Sequence, residues 1–272
     1  MVPAPLIPLA DGRSIPQLGV GTYKVPPHDT AALVADALAY GYRHIDTATL
    51  YGNEREVGEG MRRSGVPRDE VFVTTKVWND DQGFDQTLRA FDASAARLGL
   101  DEVDLYLIHW PMPSRDRYVD TWRALVRLAG DGRARSIGVS NFSPKHIQRL
   151  IDETGVTPVV DQVELHPLLP QIELQAWNDA HGIVTEAWSP LARGSLLGEP
   201  VLARIGSRYG KTPAQVVIRW HLDRGIVVFP KSSSSARLRE NADVDFTLDE
   251  EDRAAIATLA TGRRTGRNPD LD

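Results

Sequence analysis

Apolar residues along this chain fall into short dense runs. Between the runs lie longer segments in which apolar positions recur every three or four residues. Leu6-Ile7-Pro8-Leu9 and Ser14-Ile15-Pro16 flank Asp11-Gly12, a strong turn dipeptide, and predict a small β-hairpin. A strand–helix rhythm follows. Leu18 to Thr22 reads as a strand, Thr30 to Tyr40 as a helix stopped by Gly41, Arg43 to Asp46 as a strand and Glu54 to Arg63 as a polar helix. Further strands are expected at Val71 to Val77, Val103 to His109, Ala134 to Val139, Val159 to Val163, Ile183 to Ala187 and Ile226 to Val228. Helices are expected at Asp85 to Leu98, Asp116 to Ala129, Pro144 to Glu153 and Ile172 to Ala180. Three more follow: Pro200 to Leu222 with a break at Gly210, Ala236 to Ala242, and Asp249 to Leu259. Ser143 and Pro144 form a good cap and first-turn pair for one of these helices.

Eight short apolar strands alternating with helices imply a parallel sheet covered by helices. That number of repeats within about 250 residues matches a closed barrel. The expected class is therefore α/β, a (β/α)8 TIM barrel with an N-terminal β-hairpin, and residues 1–272 read as one domain. The rival is an open doubly wound sheet. Against it, Gly19-Val20-Gly21-Thr22 supplies only the first half of the dinucleotide-binding glycine fingerprint.

Composition narrows the classes. Hydrophobic residues make up 42% of the chain, enough for a large core. The net charge of -6 argues against a nucleic-acid binder, which carries a basic stripe. There are no cysteines, so disulfides, thiolate metal sites and cysteine nucleophiles are excluded. No signal-like segment and no membrane-length apolar stretch is visible, and a cytoplasmic protein is expected.

The unusual residues fall where a barrel places its chemistry, at strand C-termini and the loops that follow. Asp46 ends the second barrel strand, Tyr51 lies on the next loop, Lys76 ends the third strand and His109 the fourth. A lysine inside Val-Phe-Val-Thr-Thr-Lys-Val is costly to bury without a partner, and Asp46 is the natural one. An ammonium near a phenol would favour the phenolate and lower the tyrosine pKa, making a better proton donor at neutral pH. A histidine can align a carbonyl oxygen. Such a site protonates an oxygen that gains negative charge but holds no nucleophile, so carbonyl reduction would need an external hydride from a nicotinamide. Taken singly, each residue has a plainer reading. Asp46 could cap a helix, Tyr51 could sit beside a turn, Lys76 could reach to the surface and His109 could be a core histidine.

Four stretches together resemble the aldo-keto reductase superfamily. They are Gly41 to Glu54, Leu100-Asp101 with Asp104 to Pro111, Gly138-Val139-Ser140-Asn141-Phe142, and Pro230-Lys231-Ser232-Ser233. The resemblance runs from Pro8 to about Pro269 and is strongest to prokaryotic 2,5-diketo-D-gluconate reductases. It implies a (β/α)8 barrel that binds NADPH across its C-terminal rim without a metal. It implies Tyr51 as proton donor, Lys76 and Asp46 as its tuning pair and His109 as the orienting group. It assigns Ser140, Asn141 and Gln162 to the nicotinamide carboxamide and Trp188 to the ring that stacks on the nicotinamide. Ser189, Pro190, Leu191 and Gly194 match the pyrophosphate loop. Lys231, Ser232, Ser233 and Arg237 match the 2′-phosphate clamp, Glu240 and Asn241 the adenine contacts, and Thr22 and Tyr23 further cofactor positions. Tyr23, Ala48, Trp78 and Trp110 would line the substrate mouth, although Trp78 and Trp110 read equally well as core by position alone.

By position alone Lys231 and Arg237 read as solvated charges on a serine-rich surface loop; with the resemblance, a lysine and an arginine six residues apart, on a loop and the helix it opens, can converge on a dianion, which favours NADPH over NADH. The resemblance thus implies reduction of small aldehydes and ketones, such as sugar-derived ketones or methylglyoxal-like ketoaldehydes, by a monomer. Competing readings are an NADH-using or alcohol-oxidising member, a non-catalytic relative, and a metal-dependent barrel hydrolase. For the last, His44, His109, His166 and His181 lack the expected carboxylate pairing.

Overall fold

The structure is a computed structural model that describes residues 5–232 and 234–271. The hairpin forms as expected, with β1 (Leu6–Pro8) antiparallel to β2 (Ser14–Pro16) and Ile7 opposite Ile15. Eight parallel strands follow: β3 (Val20–Gly21), β4 (His44–Asp46), β5 (Phe72–Val77), β6 (Val103–Ile108), β7 (Ala134–Ser140), β8 (Val160–Glu164), β9 (Val184–Trp188) and β10 (Val227–Val228). Each pairs with its sequence neighbour. The first and last strands also meet, through parallel bridges Leu18–Val228 and Gly21–Lys231, which closes the sheet into a barrel. The amide of Gly19 donates to the Val228 carbonyl at 2.8 Å, and the amide of Val228 donates to the Gln17 carbonyl at 2.8 Å. No free strand edge remains between them.

The covering helices include α1 (Pro27–Ala39), α2 (Glu54–Ser64), α3 (Phe84–Leu98), α4 (Tyr118–Gly130) and α5 (Pro144–Thr154). After them come α6 (Ile172–Ala180), α7 (Pro200–Tyr209), α8 (Pro213–Leu222), α9 (Ser235–Ala242) and α10 (Glu250–Ala257). Their boundaries follow backbone chemistry. α1 opens at Pro27, three residues before the expected Thr30, because proline suits the first helical position. α4 opens at Tyr118 rather than Asp116, because Asp116 has φ 49°, which no right-handed helix accepts. The long helical region does break at Gly210, whose φ of 65° ends α7. In α2, a Cβ at Gly58 would fall 2.0 Å from the Leu98 carbonyl oxygen, so only glycine lets α2 approach the end of α3.

The hairpin seals the bottom of the barrel. Leu9 and Ile15 pack with Leu105, Leu107, Val159, Val160 and Val227, and the Ser136 hydroxyl donates to the Asp11 carboxylate at 2.7 Å. The opposite rim is left for chemistry. Among the described residues, every non-glycine residue with positive φ lies on a loop after a barrel strand: Lys24, Met112, Asp116, Asn141, Gln171, Ser189, Ala192 and Arg193. Unfavourable backbone is thus concentrated at the C-terminal rim.

Candidate active site

Residues Phe72 to Val77 alternate across β5, and Lys76 points into the barrel, with none of its side chain exposed. Its ammonium lies 2.8 and 2.7 Å from the two Asp46 oxygens and 2.9 Å from the Thr47 carbonyl. These bonds offset the desolvation of both charges. Asp46 is therefore the partner of a buried cation and not a helix cap, and Lys76 does not reach the surface. The Asp46 carboxyl lies above its ordinary range because burial outweighs the opposing pull of Lys76.

The turn Thr49–Tyr51 after β4 brings the Tyr51 hydroxyl to 3.4 Å from the Lys76 ammonium. Its ring packs 5.0 Å from Tyr23 and 5.9 Å from His109 between centroids, and Trp78 lies 5.1 Å from His109. The expected lowering of the tyrosine is not found. Burial pushes the Tyr51 phenol well above its ordinary value, and the Asp46 charge adds to the rise. The physical reason is that burial disfavours a charged phenolate, and the Asp46 and Tyr23 charges oppose it further. Tyr51 is held fully protonated. His109, one residue past β6, is pushed well below 6.5 by burial and by the Lys76 charge, so its ring is neutral.

Two further strands extend the polar chain. The Gln162 amide donates to Asp46 Oδ2 at 2.9 Å and to Glu186 Oε2 at 2.8 Å. With its side-chain nitrogen held by two carboxyl groups, Gln162 keeps its side-chain oxygen Oε1 for another donor. Burial and the nearby Asp46 charge raise Glu186 to about 8. On β7, the Ser140 hydroxyl donates to the main-chain carbonyl of Gln162 at 2.8 Å. The Asn141 amide donates to the His109 carbonyl at 2.9 Å and to Ser140 Oγ at 3.1 Å, and its oxygen accepts the Trp188 indole N–H at 2.9 Å. A cavity of about 440 Å³ opens above this layer, and Asp46, Tyr51, His109, Asn141, Gln162 and Trp188 form part of its floor and wall.

The aldo/keto reductase family model matches residues 17–261. The chain belongs to the aldo/keto reductase family. It is 55% identical over 267 residues to an aldo-keto reductase of Mycolicibacterium smegmatis, covering 98% of this chain and 97% of that one. It is 52% identical over 274 residues to the methylglyoxal reductase DkgA of Yersinia pestis, covering 100% of this chain and 98% of that one. Among solved structures, a Gox0644 mutant in complex with NADPH superposes with a TM-score of 0.95 at 47% identity, covering 99% and 98% of the two chains.

In this aldo/keto reductase the rim collects most positions singled out from sequence. Tyr23, Trp78, Trp110, Ser189, Pro190 and Lys231 line the same cavity as the residues above. Thr22 lies beneath it, its hydroxyl donating to the Asp46 carbonyl at 3.0 Å. Ala48 does not reach the mouth. It is fully buried, and Leu50, two residues along the same turn, lines the cavity instead. Leu191, Gly194, Ser232, Arg237, Glu240 and Asn241 lie outside the cavity wall. Leu191 and Gly194 belong to the loop after β9. The Ser232 hydroxyl donates to the Ser234 carbonyl at 2.9 Å, and Arg237 sits in the first turn of α9. Glu240 accepts a bond from the Thr212 hydroxyl at 2.8 Å, and Asn241 is buried. Ser233 lies outside the described residues.

Asn79, Met112, Arg193, Phe229 and the segment Gly266 to Pro269 also line the cavity and carried no sequence signal. Glu186 was detectable only as an acidic residue inside an apolar strand. Among the described residues no cluster of His, Asp and Glu could hold a metal ion, and no helix is long and apolar enough to cross a membrane.

Proposed function

We propose that this chain reduces small aldehydes and ketones to alcohols with NADPH, with Tyr51 as the proton donor. The observation that carries the reading is the Tyr51 hydroxyl beside the Lys76–Asp46 pair, under a cavity that also receives neutral His109. A neutral histidine can donate one hydrogen bond to a carbonyl oxygen and orient it toward Tyr51. Tyr51 then gives up its proton as negative charge develops on that oxygen. Lys76 stabilises the phenolate left behind, and Asp46 holds Lys76 in place. The raised tyrosine keeps its proton near neutral pH until charge develops on the carbonyl oxygen.

The residues fit a nicotinamide dinucleotide. The Gln162 oxygen is left to accept from an amide, and among the described residues neither Arg193 nor Lys231, both on the cavity wall, has a carboxylate partner. When bound, NADPH supplies the hydride. Ser140, Asn141 and Gln162 would hold its carboxamide, and Trp188 would stack on its ring. Ser189, Pro190, Leu191 and Gly194 would hold the pyrophosphate. Lys231, Ser232, Ser233 and Arg237 would take the 2′-phosphate, and Glu240, Asn241, Thr22 and Tyr23 would complete the cofactor site. Tyr23, Trp78 and Trp110 supply an aromatic mouth suited to methylglyoxal-like ketoaldehydes and sugar-derived ketones such as 2,5-diketo-D-gluconate. The same reading makes residues 1–272 one reductase domain, acting as a cytoplasmic monomer.

The test is loss of reduced-nicotinamide absorbance with methylglyoxal, an aryl aldehyde, a 2-keto sugar acid and 2,5-diketo-D-gluconate, each with NADPH and with NADH. Turnover preferring NADPH is expected. Binding of NADPH without turnover of any carbonyl would overturn the assignment.

A further inference from the structure

Glu164 is the last residue of β8 and is almost wholly buried. Its carboxylate receives the Thr265 amide at 2.5 Å, the Thr265 hydroxyl at 2.6 Å and the Gly266 amide at 3.1 Å on one oxygen. The second oxygen lies 3.2 Å from the Gly266 amide and 3.9 Å from the Arg264 guanidinium. His166 Nε2 lies 3.1 Å from the first oxygen. Two successive backbone amides and a hydroxyl thus cradle one buried anion, as backbone nests do. All but the His166 contact come from a C-terminal segment that has no helix or strand.

That segment does not merely cover the barrel. A Cβ at Gly266 would fall 2.3 Å from Trp188 Cη2 and 3.0 Å from Cζ3, so the Gly266 backbone lies flush on the far edge of the indole. The near edge is held by the bond from Trp188 Nε1 to Asn141. Glu164 and Trp188 are direct register partners on β8 and β9. The ring is therefore gripped at both edges, and one grip depends on the Glu164 anchor.

We propose that Glu164 and Gly266 are positioning residues, a buried anchor and a spacer that brace the C-terminal segment against Trp188 and so set the plane on which the nicotinamide lies. This rests on the reading that Trp188 stacks on the cofactor. An aromatic side chain left free on its outer edge could tilt away from the ring it supports. Misplacement of about 1 Å at a reacting centre costs roughly a hundredfold in rate.

The test uses the full chain and the variants Glu164→Gln, Gly266→Ala, Trp188→Phe and Trp188→Ala. NADPH affinity is read from quenching of tryptophan fluorescence and hydride transfer from single-turnover rates, with KM for the carbonyl measured alongside. Gly266→Ala and Glu164→Gln should each weaken NADPH about tenfold and slow hydride transfer ten- to a hundredfold, with KM changing less. The decisive comparison is Gly266→Ala made in the Trp188→Phe background. Phenylalanine lacks the outer ring atoms that the added methyl would strike, so the Gly266→Ala effect should vanish there. The same loss in both backgrounds would overturn the brace, as would full NADPH affinity in both Gly266→Ala and Glu164→Gln. If Trp188→Ala, which removes the ring altogether, keeps full NADPH affinity, the stacking assignment fails and the brace loses its role with it. Should Glu164→Gln not fold, the Gly266→Ala pair still decides the question.

Discussion

Lys76 makes its closest contacts with Asp46 and Thr47, and Tyr51 stands farther off at 3.4 Å. That ordering leaves burial, reinforced by the Asp46 charge, to raise the phenol. It also separates two jobs, proton donation by Tyr51 and charge stabilisation by Lys76. Tyr51→Phe should lower kcat by about 10²- to 10⁴-fold while leaving NADPH affinity within about twofold. Steady-state rates and a binding titration check both halves, and near-normal reduction by the variant would remove Tyr51 as the donor. His109 is held well below 6.5, so the pH profile of kcat/KM for reduction should show no acid limb near that pH. A limb that disappears in a His109 variant would contradict a neutral ring. The nearness of these four residues in the barrel was legible from sequence, because each ends a strand or follows one. The direction of the tyrosine shift was not, because it depends on burial and on the Asp46 charge near the phenol.

At the scale of elements, the loop after β10 and the start of α9 place Lys231 and Arg237 on one βα unit. Lys231→Ala should weaken NADPH by roughly ten- to a hundredfold, the worth of a charge-assisted contact to phosphate, and leave NADH nearly unchanged. Dissociation constants for the two cofactors test this, and equal losses would mean that the lysine does not meet the 2′-phosphate. Helix packing gives a second expectation. Gly58→Ala would drive a methyl into the Leu98 carbonyl and should cost about 1–3 kcal/mol in stability, read by denaturant midpoint. Helix and strand identities followed from the hydrophobic period. The boundaries shifted where backbone chemistry overrode it, at Pro27 and at Asp116.

For the whole molecule, burial of ionisable groups links stability to pH. Glu186 is raised to about 8 from an ordinary 4.5, so the folded state keeps a proton that the unfolded chain releases. Its contribution is fully present below about 4.5, falls as pH rises toward 8, and is gone above that value. Glu186→Gln removes this term. The melting temperature of the wild type relative to the variant should therefore drop between about pH 4.5 and 8 and then level. A constant difference across that window would place the titration elsewhere. Eight alternations of strand and helix, and the chemical types of Asp46, Tyr51, Lys76 and His109, were determined by the sequence alone. Hydrophobic period and residue chemistry are local properties that survive without coordinates. The bridge from Asp46 through Gln162 to Glu186 and the Glu164 anchor on Gly266 were decided only by tertiary structure. Each joins residues distant along the chain, Glu164 and Gly266 by 102 positions, and such pairs carry no period and no motif.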